Sequence, residues 1–490
     1  MRRRCSHRQV SRGQRPAGDL RQKLDLASGL AGPKWASWLR VGIQPSQLKK
    51  PTLAAPKQFF AIEYTQLHGS KIGCRRPPDW LRCSVYSDPL RVHSQDKTVS
   101  GAAIRRLLPR RIVLFSFLVA LCLSACVAPG RTTYDADASR QASIAGFDDI
   151  RVYADAPAKQ PNIDFWLPRA GTDSVNYLSI SSGGAAGAFS VGVLKGWSDS
   201  GTRPQFDIVS GVSTGALIAP FAFLGPEYDN MLVDLYTDGT AEALTDMKFL
   251  PRGLLGPSLL KQEPLRHLIE THLTAAIVDR IAEEHQKGRR LLVLTTNLDS
   301  QRAVVWNMGA IAASGHPDRI ALFRKIILAS ASIPGLYPAV LIKAKSDGQS
   351  FEEMHSDGGA ASQILTFPDE WLVGGVGDRW PTGRRFNMYI LVNNALMPEF
   401  SQTKNNSLAV IARAYSVLVK AQTRSALAAT YSFARRKGIA FHVASIEEQI
   451  PYSVVDPFDT DYMNEVFRLG YRGARDRTIW RSHPAFSPEL

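Results

Sequence analysis

Short apolar runs alternate with longer segments of helical periodicity from about residue 175 onward. Short apolar runs predict buried strands, whereas apolar positions that recur every three or four residues predict amphipathic helices. The predicted strands are residues 177–180, 206–209, 290–295, 303–306 and 388–392. The predicted helices are residues 189–197, 216–223, 264–274, 321–331 and 407–428. Because strands alternate with helices, we expect an α/β fold with a mostly parallel central sheet and helices on both faces.

A different pattern lies between residues 105 and 126. Two Arg-Arg pairs precede an apolar run, residues 112–123, and the run ends in Leu-Ser-Ala-Cys at Cys126. This order is typical of a signal peptide, and about 12 apolar residues are too few to span a bilayer stably. The last four residues resemble the lipobox of bacterial lipoproteins, which implies an acylated Cys126 and an anchor in the bacterial cell envelope, periplasmic or outer-membrane. An ordinary secretory signal cut near Ala125 is the alternative.

About 100 residues precede this signal, and they are rich in Arg, Lys, Gln and Pro. Because a signal should begin a chain, we interpret residues 1–104 as a non-native or disordered extension and residues 105–125 as the lipoprotein signal peptide. A long basic cytoplasmic extension, with the apolar run kept as an anchor, is the alternative. Residues 126–174 are polar with little periodicity, which is typical of a tether.

The positive charge is concentrated in the same N-terminal part. The whole chain carries +15, but residues 1–126 hold 23 Lys+Arg against 6 Asp+Glu, which leaves 36 against 38 for the rest. Since the globular part is nearly neutral, we expect no nucleic-acid partner. All five cysteines also precede residue 127, so the domain that follows has neither a disulfide framework nor a thiolate metal site. We expect no metal and no cofactor.

Three motifs carry the candidate chemistry. Residues 182–187, of sequence SGGAAG, follow the first predicted strand, and amides exposed by such a turn at a helix N-terminus suit an oxyanion. A dinucleotide-binding loop is the alternative for this motif. Residues 211–215, of sequence GVSTG, have the spacing of a nucleophile elbow, in which a serine sits between a strand and a helix. Residues 355–359, of sequence HSDGG, place a carboxylate in a glycine turn.

In this order, the motifs resemble those of the patatin-like phospholipases over residues 175–375. Residues 329–338 are similar to the family's Ala-Ser-x-x-x-Pro stretch, and residues 295–306 to its preceding hairpin. The resemblance implies a three-layer α/β fold and a serine acyl hydrolase acting on phospholipids or lysophospholipids. It implies the following roles: nucleophile Ser213; base Asp357; oxyanion amides of Gly183, Gly184 and Ala185; elbow glycines Gly211 and Gly215; aspartate-motif glycines Gly358 and Gly359. This sequence departs from the family at Ser182, where a glycine is usual, and at Ala186, where many members are basic.

Two other functions stay open. A Ser-His-Asp hydrolase would require a histidine after the acid, namely His442 or His483, although Gly183 and Ser213 are separated by only one helix and one strand. A non-catalytic envelope lipoprotein would use the fold as a binding module. We interpret His355 as structural, and we expect residues 376–490 to complete the fold. Residues 248–260 are a candidate apolar rim for acyl chains, with core packing as the alternative.

Overall fold

The computed structural model describes residues 130–156, 163–168, 173–245, 258–374, 380, 383–448, 450 and 458–486. The predicted extension, the signal peptide and Cys126 lie outside the described residues, as does most of the candidate rim at 248–260. Within the described ranges, no helix is both long enough and apolar enough to cross a membrane.

A mixed sheet forms the centre of the described part of the chain. Its strands are β1 Arg151–Tyr153, β2 Ser174–Ile180, β3 Ile208–Val212, β4 Arg290–Asn297, β5 Arg302–Asn307, β6 Val340–Ser346, β7 Gln349–Asp357, β8 Arg385–Ala395 and β9 Ala440–Ile446. The order is β1-β5-β4-β3-β2-β8-β9, and the β6–β7 hairpin is attached to β4 through β7. Strands β4, β3, β2, β8 and β9 are parallel neighbours, while β1, β5, β6 and β7 pair antiparallel. The predicted, mostly parallel sheet is confirmed.

Helices cover both faces of this sheet. They are α1 Ala136–Gln141, α2 Ile163–Trp166, α3 Gly187–Asp199, α4 Thr214–Leu224, α5 Asp229–Thr237, α6 Glu263–His272, α7 Ala275–Gln286, α8 Met308–Ala313, α9 Arg319–Ser330, α10 Asp369–Val373, α11 Ser407–Lys437 and α12 Thr460–Arg475. The predicted helices and strands all occur. The longest helix, α11, begins after Asn406, whose side chain accepts from the amide of Ala409, and ends at Gly438 with φ +66°.

Each face of the sheet has its own apolar core, because successive strand residues point to opposite sides. On one face, Leu178, Val209 and Val293 pack in a cluster with residues of α3, α4 and α9. On the other face, the neighbouring residues Tyr177, Ile208 and Leu292 pack in a cluster with Trp371 of α10 and Phe433 of α11. Every residue of β4 is buried. Burial on both faces explains why its sequence is a nearly continuous apolar run.

The C-terminal part of the chain is packed closely on the rest of the domain. Helix α12 lies against α3 at glycines: a Cβ at Gly192 would be 2.2 Å from the carbonyl oxygen of Phe467, and a Cβ at Gly196 would be 2.2 Å from that of Tyr471. Any larger side chain would force the two helices apart. Strands β8 and β9 extend the sheet beyond β2. Strand β9 and helix α12 were not predicted from the sequence.

The segment predicted as a tether differs from that prediction. Strand β1 pairs antiparallel with β5, and Phe147 and Ile150 are buried. Arg151 forms an ion pair with the fully buried carboxylate of Glu353. An unpaired charge at that depth is strongly destabilising, so the pair fastens the segment to the hairpin. Residues 130–156 therefore belong to the folded domain rather than to a plain spacer.

Candidate active site

The ends of β3 and β7 meet beside β4. Strand β3 pairs with the first half of β4, where Val212 lies opposite Leu294. Strand β7 then takes the same side of β4, where Asp357 lies opposite Thr295. Because Leu294 and Thr295 are consecutive, the residue after β3, Ser213, adjoins the last residue of β7. The register of the sheet thus brings the two predicted catalytic side chains together, although 144 positions separate them.

Ser213 occupies a strained turn between β3 and α4. Its φ is +57° and its ψ is −122°, a backbone region that side chains other than glycine rarely adopt. The turn is held from outside: the Ser213 amide donates to Ser330 Oγ at 3.1 Å, and that hydroxyl donates to the Leu294 carbonyl at 2.7 Å. These bonds anchor the turn to α9 and β4.

The two predicted elbow glycines allow the chain to pass through this turn. A Cβ at Gly211 would lie 2.3 Å from the carbonyl oxygen of Gly215. A Cβ at Gly215 would lie 2.3 Å from the carbonyl oxygen of Ile180 in β2. Both gaps are far shorter than a van der Waals contact, so each position requires glycine for close backbone approach.

Ser213 and Asp357 form a short hydrogen bond. Ser213 Oγ donates to Asp357 Oδ2 at 2.5 Å, and Asp357 Oδ1 accepts from the Gly359 amide at 2.7 Å. Burial raises the pKa of the Asp357 carboxyl to about 7, against the two hydrogen bonds, which lower it. A carboxylate with a pKa near neutral pH is suited to accept and return a proton.

The aspartate motif also depends on a close approach. A Cβ at Gly358 would lie 2.4 Å from the Leu294 carbonyl oxygen in β4. At Gly359 the contact is milder, because a Cβ there would lie 3.0 Å from Asp357 Oδ1. Gly358 therefore keeps the turn against the sheet, and Gly359 keeps an amide directed at the carboxylate.

The glycine loop turns between β2 and α3. Gly183 has φ +156° and Gly184 has φ +56°, and a 3₁₀ turn, Gly184–Ala186, leads directly into α3. Asn393 of β8 holds the loop: its Nδ2 donates to the Ser181 carbonyl at 3.0 Å, and its Oδ1 accepts from the Ser190 amide at 3.2 Å. Sequence reasoning missed Asn393, because no motif surrounds it.

Ser182, the first departure from the family pattern, fits without strain. It is not among the residues with positive φ, and its hydroxyl donates to Oε1 of the buried Gln363. The side-chain nitrogen of Gln363 donates in turn to the Gly359 carbonyl at 2.6 Å. Gln363, also missed from the sequence, thereby connects the glycine loop to the aspartate motif. Ala186, the second departure, is buried.

An apolar cavity adjoins the pair. Its volume is about 60 Å³, and its lining includes Ser213 and Gly184. The rest of the lining is mostly apolar and comes from α4, α5, α6 and α12, including Leu217, Phe221, Leu232, Leu268, Ile269 and Met463. His272 also lines the cavity, and burial lowers the pKa of its imidazole, which favours the neutral ring.

The two histidines of the rival Ser-His-Asp arrangement lie elsewhere. His442 is in β9, where its ring stacks on Tyr389 with a centroid distance of 4.7 Å. His483 is exposed and lies within hydrogen-bond distance of the Ser482 hydroxyl. In the part of the chain that the structure describes, no hydrogen bond joins either ring to Ser213 or Asp357. The structure thus brings together the serine and the aspartate, and neither histidine.

His355 belongs to a buried polar network. Its Nδ1 lies 3.0 Å from Thr295 Oγ1, and its Nε2 lies 3.2 Å from Glu353 Oε2. Trp306 Nε1 donates to the Thr295 hydroxyl at 2.8 Å, so that hydroxyl is free to donate to Nδ1, and the Nε2 proton points at Glu353. Burial lowers the pKa of His355. This network supports β7 rather than the reacting atoms, which fits the structural role we expected.

No metal-binding group was found in the described ranges, where no three or more His, Cys, Asp or Glu side chains are clustered suitably. Among the described residues, the Ser213 hydroxyl is bonded to the Asp357 carboxyl and lies near the glycine loop, while Thr214, Tyr236, His272 and Tyr337 are the other polar side chains of the cavity lining.

Comparison with known proteins finds a family match for one part of the chain. A family model described as patatin-like phospholipase matches residues 178–367, a range that contains the glycine loop, Ser213 and Asp357. No curated relative matches the chain. Among solved structures, the crystal structure of VipD from Legionella pneumophila is similar with a TM-score of 0.33 and 10% identity, over 64% of this chain and 68% of VipD. The family supports lipid acyl hydrolysis in general terms. Residues 178–367, less than half of the chain, are thus similar to the patatin-like phospholipases.

Proposed function

We propose that this chain hydrolyses acyl ester bonds of phospholipids or lysophospholipids, with Ser213 as the nucleophile and Asp357 as its base. The observation that carries the proposal is the 2.5 Å hydrogen bond from Ser213 Oγ to Asp357 Oδ2, beside an apolar cavity. A serine hydroxyl on a strained turn is an activated nucleophile when it is hydrogen-bonded to a carboxylate whose pKa is about 7.

In the first half of the reaction, Ser213 Oγ attacks the acyl carbonyl carbon and its proton passes to Asp357 Oδ2. The carbonyl π electrons move to oxygen, and the amides of Gly183, Gly184 and Ala185 stabilise the oxyanion. One such donor typically contributes about 3 kcal/mol. The ester C–O bond then breaks, and protonated Asp357 returns the proton to the leaving alkoxide. The products of this half are an alcohol and an acyl group on Ser213.

In the second half, water replaces the alcohol. Asp357 accepts a proton from the water as its oxygen attacks the acyl-serine carbonyl, and the same amides stabilise the second oxyanion. Collapse releases the fatty acid, and Asp357 returns the proton to Ser213 Oγ. Because no histidine in the described ranges is hydrogen-bonded to Ser213 or Asp357, where it could protonate a poorer leaving group, we expect esters to react more readily than amides.

The cavity supports a lipid substrate. Phe221 follows Ser213 by eight positions, which corresponds to about 12 Å along α4. An extended fatty acyl chain that follows α4 over this distance would lie along the lining from Ser213 to Phe221. The apolar lining removes such a chain from water, at about 0.8 kcal/mol per buried methylene. A small polar substrate would gain little from this lining.

The test is fatty-acid release from phospholipid vesicles and from a short-chain ester by the full chain. Ser213→Ala and Asp357→Asn should each lower the rate by a factor of about 10³ or more, since triad-type residues act as a unit. His442→Ala is the control and should retain activity. Activity that survives Asp357→Asn but not His442→Ala would contradict the dyad, and an inactive parent protein would favour the binding-module alternative.

We also propose a lipid anchor at Cys126 and a location in the bacterial envelope. The support is the order of basic, apolar and small residues that ends at Cys126. Metabolic labelling with radioactive palmitate should mark the protein, and Cys126→Ala should remove the label. Labelling that persists in this variant would contradict acylation at that residue.

A further inference from the structure

The N-terminal half of α11 exposes large apolar side chains. Together with Phe400 of the preceding loop, they are between 51% and 97% exposed. We call the following set the apolar helix face: Phe400, Val410, Ile411, Tyr415, Val417 and Leu418. Scattered exposed apolar residues are ordinary, but a continuous set on one helix marks an interaction site.

The apolar helix face continues from the edge of the proposed active site. Ile411, Tyr415 and Leu418 are eleven, seven and four positions before Gln422, so all four lie on one side of α11. Gln422 Nε2 donates to the Ala361 carbonyl at 2.5 Å, and Gln422 Oε1 accepts from Gln363 Nε2 at 3.1 Å. The helix is thereby bonded to the loop that follows Asp357.

Tyr415 brings the same face within electrostatic reach of the catalytic pair. Burial raises the pKa of the Tyr415 hydroxyl, and the charge of Asp357 raises it further. Yet the Tyr415 side chain is 51% exposed. Tyr415 is therefore within reach of the charge of Asp357 while about half of its surface remains exposed to solvent.

The charge of α11 indicates the kind of surface that this face meets. The helix has no acidic residue, and its basic residues are Arg413, Lys420, Arg424, Arg435, Arg436 and Lys437. Lys420 is paired with Glu399 at 3.1 Å. Arg435, Arg436 and Lys437 lie in the last turn of the helix, so Arg413 and Arg424 are the other cations near the apolar helix face. Apolar side chains flanked by Lys and Arg are typical of helices that lie in the headgroup region of anionic membranes. A contact between two copies would bring two positive helices together, which like-charge repulsion opposes.

We infer that the apolar helix face docks on an anionic phospholipid surface and holds the entrance to Ser213 against the lipid. The inference rests on the proposed function, because it specifies that the enzyme acts on phospholipid that is part of a membrane surface. Ile411 and Leu418 insert among the acyl chains, and the basic residues contact the lipid phosphates. The substrate ester then reaches Ser213 without its acyl chain crossing bulk water.

The experiment measures binding of the full chain to vesicles, in a background of Ser213→Ala and Cys126→Ser. The first change preserves the lipid, and the second removes the proposed anchor. The vesicles are of phosphatidylcholine alone or of equal phosphatidylglycerol and phosphatidylcholine. The test variant is Ile411→Ser with Leu418→Ser, and the matched control is Val373→Ser, because Val373 is 86% exposed at the end of α10. Unchanged unfolding midpoints verify that each variant folds.

We expect the double variant to bind the anionic vesicles at least about tenfold more weakly, from the apolar area removed, while the control is unaffected. Salt should weaken binding of the parent. As a second readout, tryptophan fluorescence of Leu418→Trp should be quenched by brominated lipid beyond the parent's background, whereas Val373→Trp should not.

Two results would overturn the inference. One is equal vesicle binding by the parent and the double variant, with no additional quenching at position 418. The other is a parent dimer that the double variant dissociates without loss of vesicle binding, since the face would then join two copies of the chain. Vesicle binding is measured in the Ser213→Ala background, which does not hydrolyse the lipid. A parent protein that binds vesicles but shows no hydrolysis would therefore contradict the proposed function and not this inference.

Discussion

Replacing Asp357 with asparagine is expected to stabilise the fold above neutral pH while it removes catalysis. The carboxyl is buried, and its pKa rises from an ordinary 3.8 to about 7. Below pH 3.8 it is protonated in both the folded and the unfolded chain. As the pH rises from 3.8 to 7, the unfolded chain loses the proton first, so the folded state loses stability; above 7 the loss is complete.

The magnitude follows from the same shift. At 1.36 kcal/mol per pKa unit, ionisation of Asp357 lowers the free energy of unfolding by about 4 kcal/mol at pH 8 and by less than half of that at pH 5. Asparagine has the same shape and carries no charge. Its Oδ1 can accept from the Gly359 amide, and its Nδ2 can donate to Ser213 Oγ. Asp357→Asn should therefore recover most of this loss.

The assay is urea unfolding of both proteins at pH 5 and pH 8, followed by tryptophan fluorescence. The stability gain of Asp357→Asn should be larger at pH 8 by about 2 to 3 kcal/mol, a difference in which pH-independent effects of the substitution cancel. Ser213→Ala is the control, because it is inactive but keeps the buried carboxyl; its stability should still fall as the pH rises, at least as steeply as in the parent, because the Ser213 hydrogen bond lowers the pKa of Asp357. A gain of equal size at both pH values, or destabilisation at pH 8, would refute the reasoning.

Three further predictions concern the turn, the cavity and the connection between loops. Gly215→Ala should lower the free energy of unfolding by about 3 kcal/mol or more in urea, because its methyl group would meet the Ile180 carbonyl; a smaller change would mean that the elbow relaxes easily. Leu217→Trp should lower hydrolysis of long-chain esters about tenfold relative to butyryl esters by filling the cavity; equal losses would place the acyl chain elsewhere. Gln363→Leu should lower kcat about 10- to 100-fold, with little change in KM, as the loops shift; a change confined to KM would contradict a positioning role.

Local patterns predicted the elements that carry the glycine loop and Ser213. A buried strand, a glycine turn and a helix follow one another twice within about fifty residues, so short-range spacing was sufficient for both. Asp357 was identified as the candidate base because it is followed by two glycines, as is the aspartate in the patatin-like pattern. The predicted strands of the parallel sheet were apolar on both faces, which made them visible as continuous runs.

Longer-range features were not visible in this way. Strand β7 carries Glu353 and His355 inward, and these polar residues interrupt the apolar alternation that identifies a strand. They are tolerated because Arg151, 202 positions earlier, pairs with Glu353. The same ion pair attaches residues 130–156, which were predicted to be a tether, to the folded domain. Gln363 and Asn393 were missed for a similar reason, because their importance comes only from partners distant in the chain.

The most direct test of the central claim is covalent trapping of the nucleophile. The full chain is incubated with a fluorophosphonate, and the modified residue is located by peptide mass spectrometry over a range of pH. The account predicts a single labelled site, Ser213, with a labelling rate that is half-maximal near pH 7 as Asp357 ionises. In Asp357→Asn the rate should fall by at least about 10³. Labelling of another residue, or equal labelling of Ser213 in Asp357→Asn, would contradict the dyad.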